Sequence, residues 1–166
     1  MKQLKSLAAA SVALALTAGA AQAATPKPAP VVERTGQPTG VISSTATVPA
    51  EMKLVFISGT TPSPLDPAKP DDFGDTRAQT LSILTKMKAQ VESMGMTMGD
   101  IVKMTVFLVA PTPGGRMDSA AMNDVFKTFF GTPEQPNKPT RSTIQIAALG
   151  RPTMYVEIEA VAAKAP

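Results

Sequence analysis

Any chemistry in this chain has to be done without histidine, cysteine or tryptophan, because its 166 residues contain none of them. That removes Ser-His-Asp and Cys-His catalysis, Cys/His zinc sites, disulfides and haem attachment together. What remains is Arg, Lys, Asp, Glu, Ser, Thr, the single Tyr155, backbone groups or a bound ion. Arg141 opens an alternating stretch, and its planar guanidinium fork can meet a carboxylate through two parallel hydrogen bonds. Glu157 and Glu159 stand two apart, so in a strand they share a face. A carboxylate in a partly dry interface has a raised pKa and can serve as acid and base near neutrality. From the residues alone, Arg141 reads first as an exposed strand-end arginine pairing with a surface acid. Both glutamates read equally as structural partners of Lys103 or Arg141.

Other motifs carry less. Met94, Met96 and Met98 offer soft thioethers of the kind that bind Cu(I), but methionine is usually core filler. Gly114-Gly115 lacks the Lys-Ser/Thr that completes a phosphate cradle. Lys86, Lys88 and Lys127 read as exposed helix residues, not as a nucleic-acid patch. With only 4% aromatic residues, a base-stacking surface is not expected.

The elements that must position these residues lie between proline clusters at Pro26–Pro38, Pro62–Pro70, Pro111–Pro113 and Pro133–Pro139, which read as loops. Ile42–Val48 and Lys53–Ser58 are expected to be two strands of a hairpin turning at Pro49, Ala50 and Glu51. Arg77–Met94 is helical, with Leu81, Leu84, Met87 or Lys88, Val91 and Met94 on one stripe and Gly95 as its stop. Ile101–Val109 alternates, with Val102, Met104, Val106 and Leu108 on one face. Asp118–Phe130 is a second helix, with Met122, Val125, Phe126, Phe129 and Phe130 at helical spacing. Arg141–Leu149 and Met154–Ala162 are the last strands, joined at Gly150-Arg151-Pro152. The order is ββαβαββ: two helices on one face of a mixed sheet, an α+β layer. The other face is expected to carry Thr143, Gln145, Glu157 and Glu159, covered by water or a partner subunit.

Residues 1–23 read as a secretory signal peptide: Lys2 and Lys5, an apolar Leu7–Ala20 run, then Ala21-Gln22-Ala23 as the cleavage site. The apolar run is short for a bilayer span. The formal charge is +3, and removing Lys2 and Lys5 with the leader leaves +1. The expected product is an exported, periplasmic protein with no membrane attachment after cleavage. A Pro-rich flexible tether over 24–38 would precede one domain at 39–166.

The segments Phe56-Ile57-Ser58-Gly59, Gly99 to Phe107, Met122 to Phe130, Pro139-Thr140-Arg141-Ser142 and Val156 to Ala162, in that order, resemble the RidA/YjgF family of reactive-imine deaminases. The resemblance implies a chorismate-mutase-like subunit in a homotrimer, with clefts between neighbouring subunits. It implies hydrolysis of 2-imino or 2-enamino acids to 2-oxo acids and ammonia, without metal or organic cofactor. The family's carboxylate-binding position falls on Arg141, and its acid near the hydrolytic water on Glu157. Ser58, Gly59 and the Thr143 backbone would flank the pocket, and Asn123 would support it. Thr143 stands where common members have Cys, Thr60 replaces a frequent Gln, and Gly36-Gln37-Pro38-Thr39 lacks the Tyr of many deaminating members. Loops around Pro62–Asp75 and Pro111–Met117 are longer than usual. A non-catalytic module binding small carboxylates or a protein partner is the alternative.

Overall fold

In the computed structural model, residues 28–166 are described. The proposed leader, its cleavage site near Ala23 and residues 24–27 of the tether lie outside the described residues.

The sheet that organises the site has the order β3-β6-β4-β5, formed by β3 (Lys53–Thr60), β6 (Val156–Lys164), β4 (Ile101–Val109) and β5 (Thr140–Ile146). Neighbours are antiparallel except β4 and β5, which run parallel and are joined through α2 (Ser119–Phe129). In β4 the expected alternation holds: Met104, Val106 and Leu108 are fully buried under the helices, while Lys103, Thr105 and Phe107 point the other way. This is the anticipated α+β architecture, a mixed sheet with two helices on one face.

Both helices start and stop where local chemistry allows. Asp75 caps α1 (Thr76–Ser93) by accepting from the Ala78 N–H at 2.8 Å, and Asp118 caps α2 through the Ala121 N–H at 3.0 Å. At the end of α1, Gly95 adopts a φ of 68° and the Met96 N–H returns to the Val91 carbonyl at 3.0 Å. A residue with a side chain would be strained there.

The inward stripe of α1 differs from the expected one. It consists of Thr76, Gln79, Thr80, Ile83, Leu84, Met87 and Val91, whereas Leu81 is 49% exposed. The displacing residue is polar. Gln79, fully buried, donates to the Gly74 and Thr153 carbonyls at 3.0 and 2.8 Å and accepts from the Tyr155 N–H at 2.7 Å. It thereby staples the loop after β3 to the loop before β6. Gln79→Leu preserves size but strands two carbonyls and one N–H, an expected loss of about 3 kcal/mol. Urea titration would show it as a lower midpoint at unchanged slope.

The first hairpin is also different. Thr45–Thr47 (β2) does not pair with β3, whose only ladder among the described residues is to β6. It pairs instead with Glu33–Thr35 (β1), inside the segment expected to be a tether. The reason is Arg34, whose guanidinium donates to the carbonyls of Gly99 at 2.8 Å and Ile101 at 3.5 Å, pinning the ribbon to the body of the domain.

Met96 and Met98 are 4% and 5% exposed and Met94 packs against the same cluster, so the three methionines serve the core. Among the described residues no helix is long and apolar enough to cross a membrane.

Candidate functional site

Arg141 lies near the start of β5, an edge strand, in register with Met104 of β4. That register turns its side chain to the helix face. There the guanidinium lies over the Phe126 ring, 4.4 Å from its centroid, and one terminal nitrogen donates to Asn123 Oδ1 at 2.6 Å. The other terminal nitrogen finds only the Met122 sulfur at 3.6 Å, and Nε is buried with no partner. Among the described residues no carboxylate pairs with Arg141; burial alone pushes its pKa down. A half-buried guanidinium with donors to spare has the chemistry to meet a carboxylate through its planar fork. The surface-pair reading of Arg141 therefore fails.

The orientation of that cation follows from α2. Met122, Asn123 and Phe126 are spaced i, i+1 and i+4, so they share one side of the helix above β5. Phe126 stacks in turn on Phe130, with centroids 4.6 Å apart. The ring thus acts as a fixed plate beneath the guanidinium, worth about 0.5–2 kcal/mol as a cation–π contact. Spacing marks Phe126 only as a core residue; its contact with Arg141 spans fifteen positions and has no local signature.

Thr143 is the next residue of β5 on the same face, in register with buried Val106. Thr143 and Gln145 thus lie on the helix side, not on the open face expected for them. The parallel register with β4 decides this, because a one-residue change in alignment would reverse every side chain. The open face instead carries Phe107, flanked by Ile144 and Glu157, together with Val161 and Phe56. Phe56 is 76% exposed and Ile144 46%.

Glu157 and Glu159 do share the open face, opposite Phe107 and Thr105. Neither forms an ion pair with Lys103 or Arg141; Lys103 Nζ donates to Ser142 Oγ at 2.9 Å. Ser58 and Gly59 sit in an irregularity of the β3–β6 ladder between Ile57 and Thr60. That irregularity brings Gly59 under the Glu157 side chain so closely that an added Cβ would collide with the carboxylate. Glycine here is a matter of space.

The structure therefore gathers the candidates into two groups. Arg141, Asn123 and Thr143 form one at the β5 edge on the helix face. Ser58, Gly59 and Glu157 form the other toward the β3 edge on the open face. Glu157 is carried by β6, two strand spacings from Arg141 on β5, about 10 Å, and on the opposite face. Within one subunit Arg141 and Glu157 project from opposite faces of the sheet.

The helix lysines have local employment. Lys86 donates to the Thr61 carbonyl, Lys88 pairs with Glu92 and Lys127 with Asp124.

A family model described as Endoribonuclease L-PSP matches residues 43–164. The 2-iminobutanoate/2-iminopropanoate deaminase of Salmonella typhimurium is 35% identical over 111 residues, covering 67% of this chain and 80% of that protein. Among solved structures, Escherichia coli TdcF with bound serine is 30% identical with a TM-score of 0.54, covering 80% of this chain and 98% of that one. A Rid family protein of Yersinia pestis, YyfB, gives a TM-score of 0.62 at 23% identity, over 79% and 97% of the two chains.

Proposed function

The chain belongs to the RidA/YjgF family, the one the L-PSP model describes, and from that premise we propose that it hydrolyses reactive 2-imino and 2-enamino acids to 2-oxo acids and ammonia, acting as a homotrimer after export. The observation that carries this reading is Arg141: a half-buried guanidinium, flattened on Phe126, steered by Asn123 and paired with no carboxylate among the described residues. Such a group suits the carboxylate common to every 2-imino acid.

The remaining chemistry is modest. Water adds to the carbon of the protonated imine while Glu157 takes one of its protons, giving a carbinolamine with a neutral amine. Glu157 returns that proton to the nitrogen, the C–N bond breaks as ammonia leaves, and the hydroxyl gives its proton to the carboxylate as the 2-oxo group forms. A positioned carboxylate contributes about 10²–10⁴-fold to such proton transfers. The separation of the two residue groups favours a cleft in which one subunit supplies Arg141, Asn123 and Thr143 and its neighbour supplies Ser58, Gly59 and Glu157. The exposed Phe56 and Ile144 on the open face give the subunits a surface to bury against one another. The serine bound in TdcF and the substrates in the name of the Salmonella protein point to the same class of small amino-acid derivative.

A second reading keeps the binding and drops the turnover, since the Arg141 group is a complete carboxylate holder by itself. An assay separates them. An amino-acid oxidase generates imines in place, semicarbazide competes for them, and wild type is compared with Glu157→Gln. Hydrolysis predicts accelerated imine loss in wild type and a loss of about 10²-fold in the variant, with 2-oxo acid affinity retained. Background rates for both proteins, with carboxylate binding intact, would establish the binding module instead.

A further inference from the structure

The β5 stripe continues beyond Thr143. Gln145 is next on the same face, in register with Leu108, and both ends of its carboxamide are engaged. Its Oε1 accepts from the Met117 N–H at 2.8 Å, and its Nε2 donates to the Gly115 carbonyl at 3.1 Å. These two bonds hold the segment between β4 and α2, whose tight turn is closed by the Gly115 N–H on the Thr112 carbonyl at 3.0 Å. Between the held segment and the C-terminal ends of β4 and β5 lies a cavity of about 330 Å³. Its walls include Val109, Ala110, Pro113, Gln145, Ile146 and Ala147. The Thr112 side chain and the backbone of Gly114 and Gly115 complete the lining, so aliphatic side chains share it with polar groups.

We propose that this cavity receives the side chain of a bulky 2-imino acid, with Gln145 as the positioning residue that keeps it open. The proposal rests on the reading of Arg141 as carboxylate holder. Same-face residues of a strand are about 7 Å apart, so Thr143 stands one step from Arg141 and Gln145 two steps, about 13 Å. A ligand whose carboxylate meets Arg141 and whose reacting carbon lies toward Thr143 directs its side chain along the stripe. A methyl group ends far short of Gln145; an aromatic or long aliphatic side chain extends toward it. A cavity of this volume suits such a group and is wasted on an alanine-derived imine.

The test measures calorimetric affinities of 2-oxopropanoate, 4-methyl-2-oxopentanoate and 3-phenyl-2-oxopropanoate for the assembled protein, for Gln145→Leu and for Ala147→Phe. Wild type is expected to prefer the phenyl compound at least tenfold over 2-oxopropanoate. Gln145→Leu, which releases the loop, should cut that preference at least fivefold and leave 2-oxopropanoate affinity unchanged. Ala147→Phe should do the same by filling the cavity with both loop bonds intact; position 147 is exposed, so this variant tests the cavity even if Gln145→Leu fails to fold. No size preference in wild type, or a preference untouched by Ala147→Phe, overturns the proposal while the carboxylate reading stands. Failure of wild type to bind any 2-oxo acid overturns the carboxylate reading itself, and this proposal with it.

Discussion

Arg141→Ala is expected to lower kcat/KM for imine hydrolysis by about 10²–10³-fold, since two charge-assisted hydrogen bonds to a substrate carboxylate are worth about 3–4 kcal/mol together. The fold should hardly register the change. Among the described residues no carboxylate on this arginine would be orphaned, and the variant loses one bond to Asn123 and the contact with Phe126. It also sheds a cation that burial disfavours. Unfolding free energy should therefore move by less than about 2 kcal/mol. Lysine restores charge without the fork and should recover only part of the rate. Asn123→Asp sharpens the test with Arg141 untouched. A carboxylate would replace the amide oxygen now 2.6 Å from the guanidinium, filling the site from within. Substrate affinity should fall by about tenfold or more at neutral pH while stability holds. The guanidinium would lower the pKa of that new Asp, so affinity should return only at acid pH, where the carboxylate is protonated. An Arg141→Ala enzyme with wild-type kcat/KM would end the assignment.

Gly59→Ala should behave as a loss of Glu157 while Glu157 remains in the sequence. A Cβ at position 59 would come within 2.9 Å of Glu157 Cδ and 3.2 Å of Cγ, and closer still to Oε1. Because the obstacle is the far end of a flexible side chain, Glu157 can swing away. The cost to folding should stay below about 1 kcal/mol. The carboxylate, however, would leave the place from which the proposed mechanism has it take a proton from water. The expected result is a fall in kcat of about 10²-fold with KM nearly unchanged, since the substrate's own carboxylate is held elsewhere. Combining Gly59→Ala with Glu157→Gln should add little to either alone, because both remove the same group. Additive losses would show that Gly59 matters for another reason. Gly59 is not among the glycines with positive φ, so backbone freedom is not that reason.

The elements themselves were largely legible because local rules write them. Alternation in Ile101–Val109, helical spacing in Met122–Phe130, caps at Asp75 and Asp118 and the stop at Gly95 each depend on neighbours a few positions away. The differences share one origin. Apolar spacing ranks Leu81 above Gln79 for the inside, but Gln79 finds three backbone partners from two distant loops and takes the buried position. The hairpin of Ile42–Val48 with Lys53–Ser58 fits its turn residues, yet Arg34 reaches Gly99 and Ile101 and gives Thr45–Thr47 another partner.

The same division runs through the site. By itself the sequence determined which chemistries this protein lacks, its α+β class, its family and its short roster of polar candidates, because residue identity and local periodicity are written one position at a time. It did not determine that Arg141 rests on Phe126 without a counter-ion, that Thr143 and Gln145 face the helices, or that Glu157 lies across Gly59 on the opposite side of the sheet. Those facts depend on the parallel register of β4 with β5 and on the irregularity between β3 and β6, contacts between residues tens of positions apart. A strand carries its alternation in its own sequence; which of its two faces meets the helices is decided only when its neighbour aligns beside it.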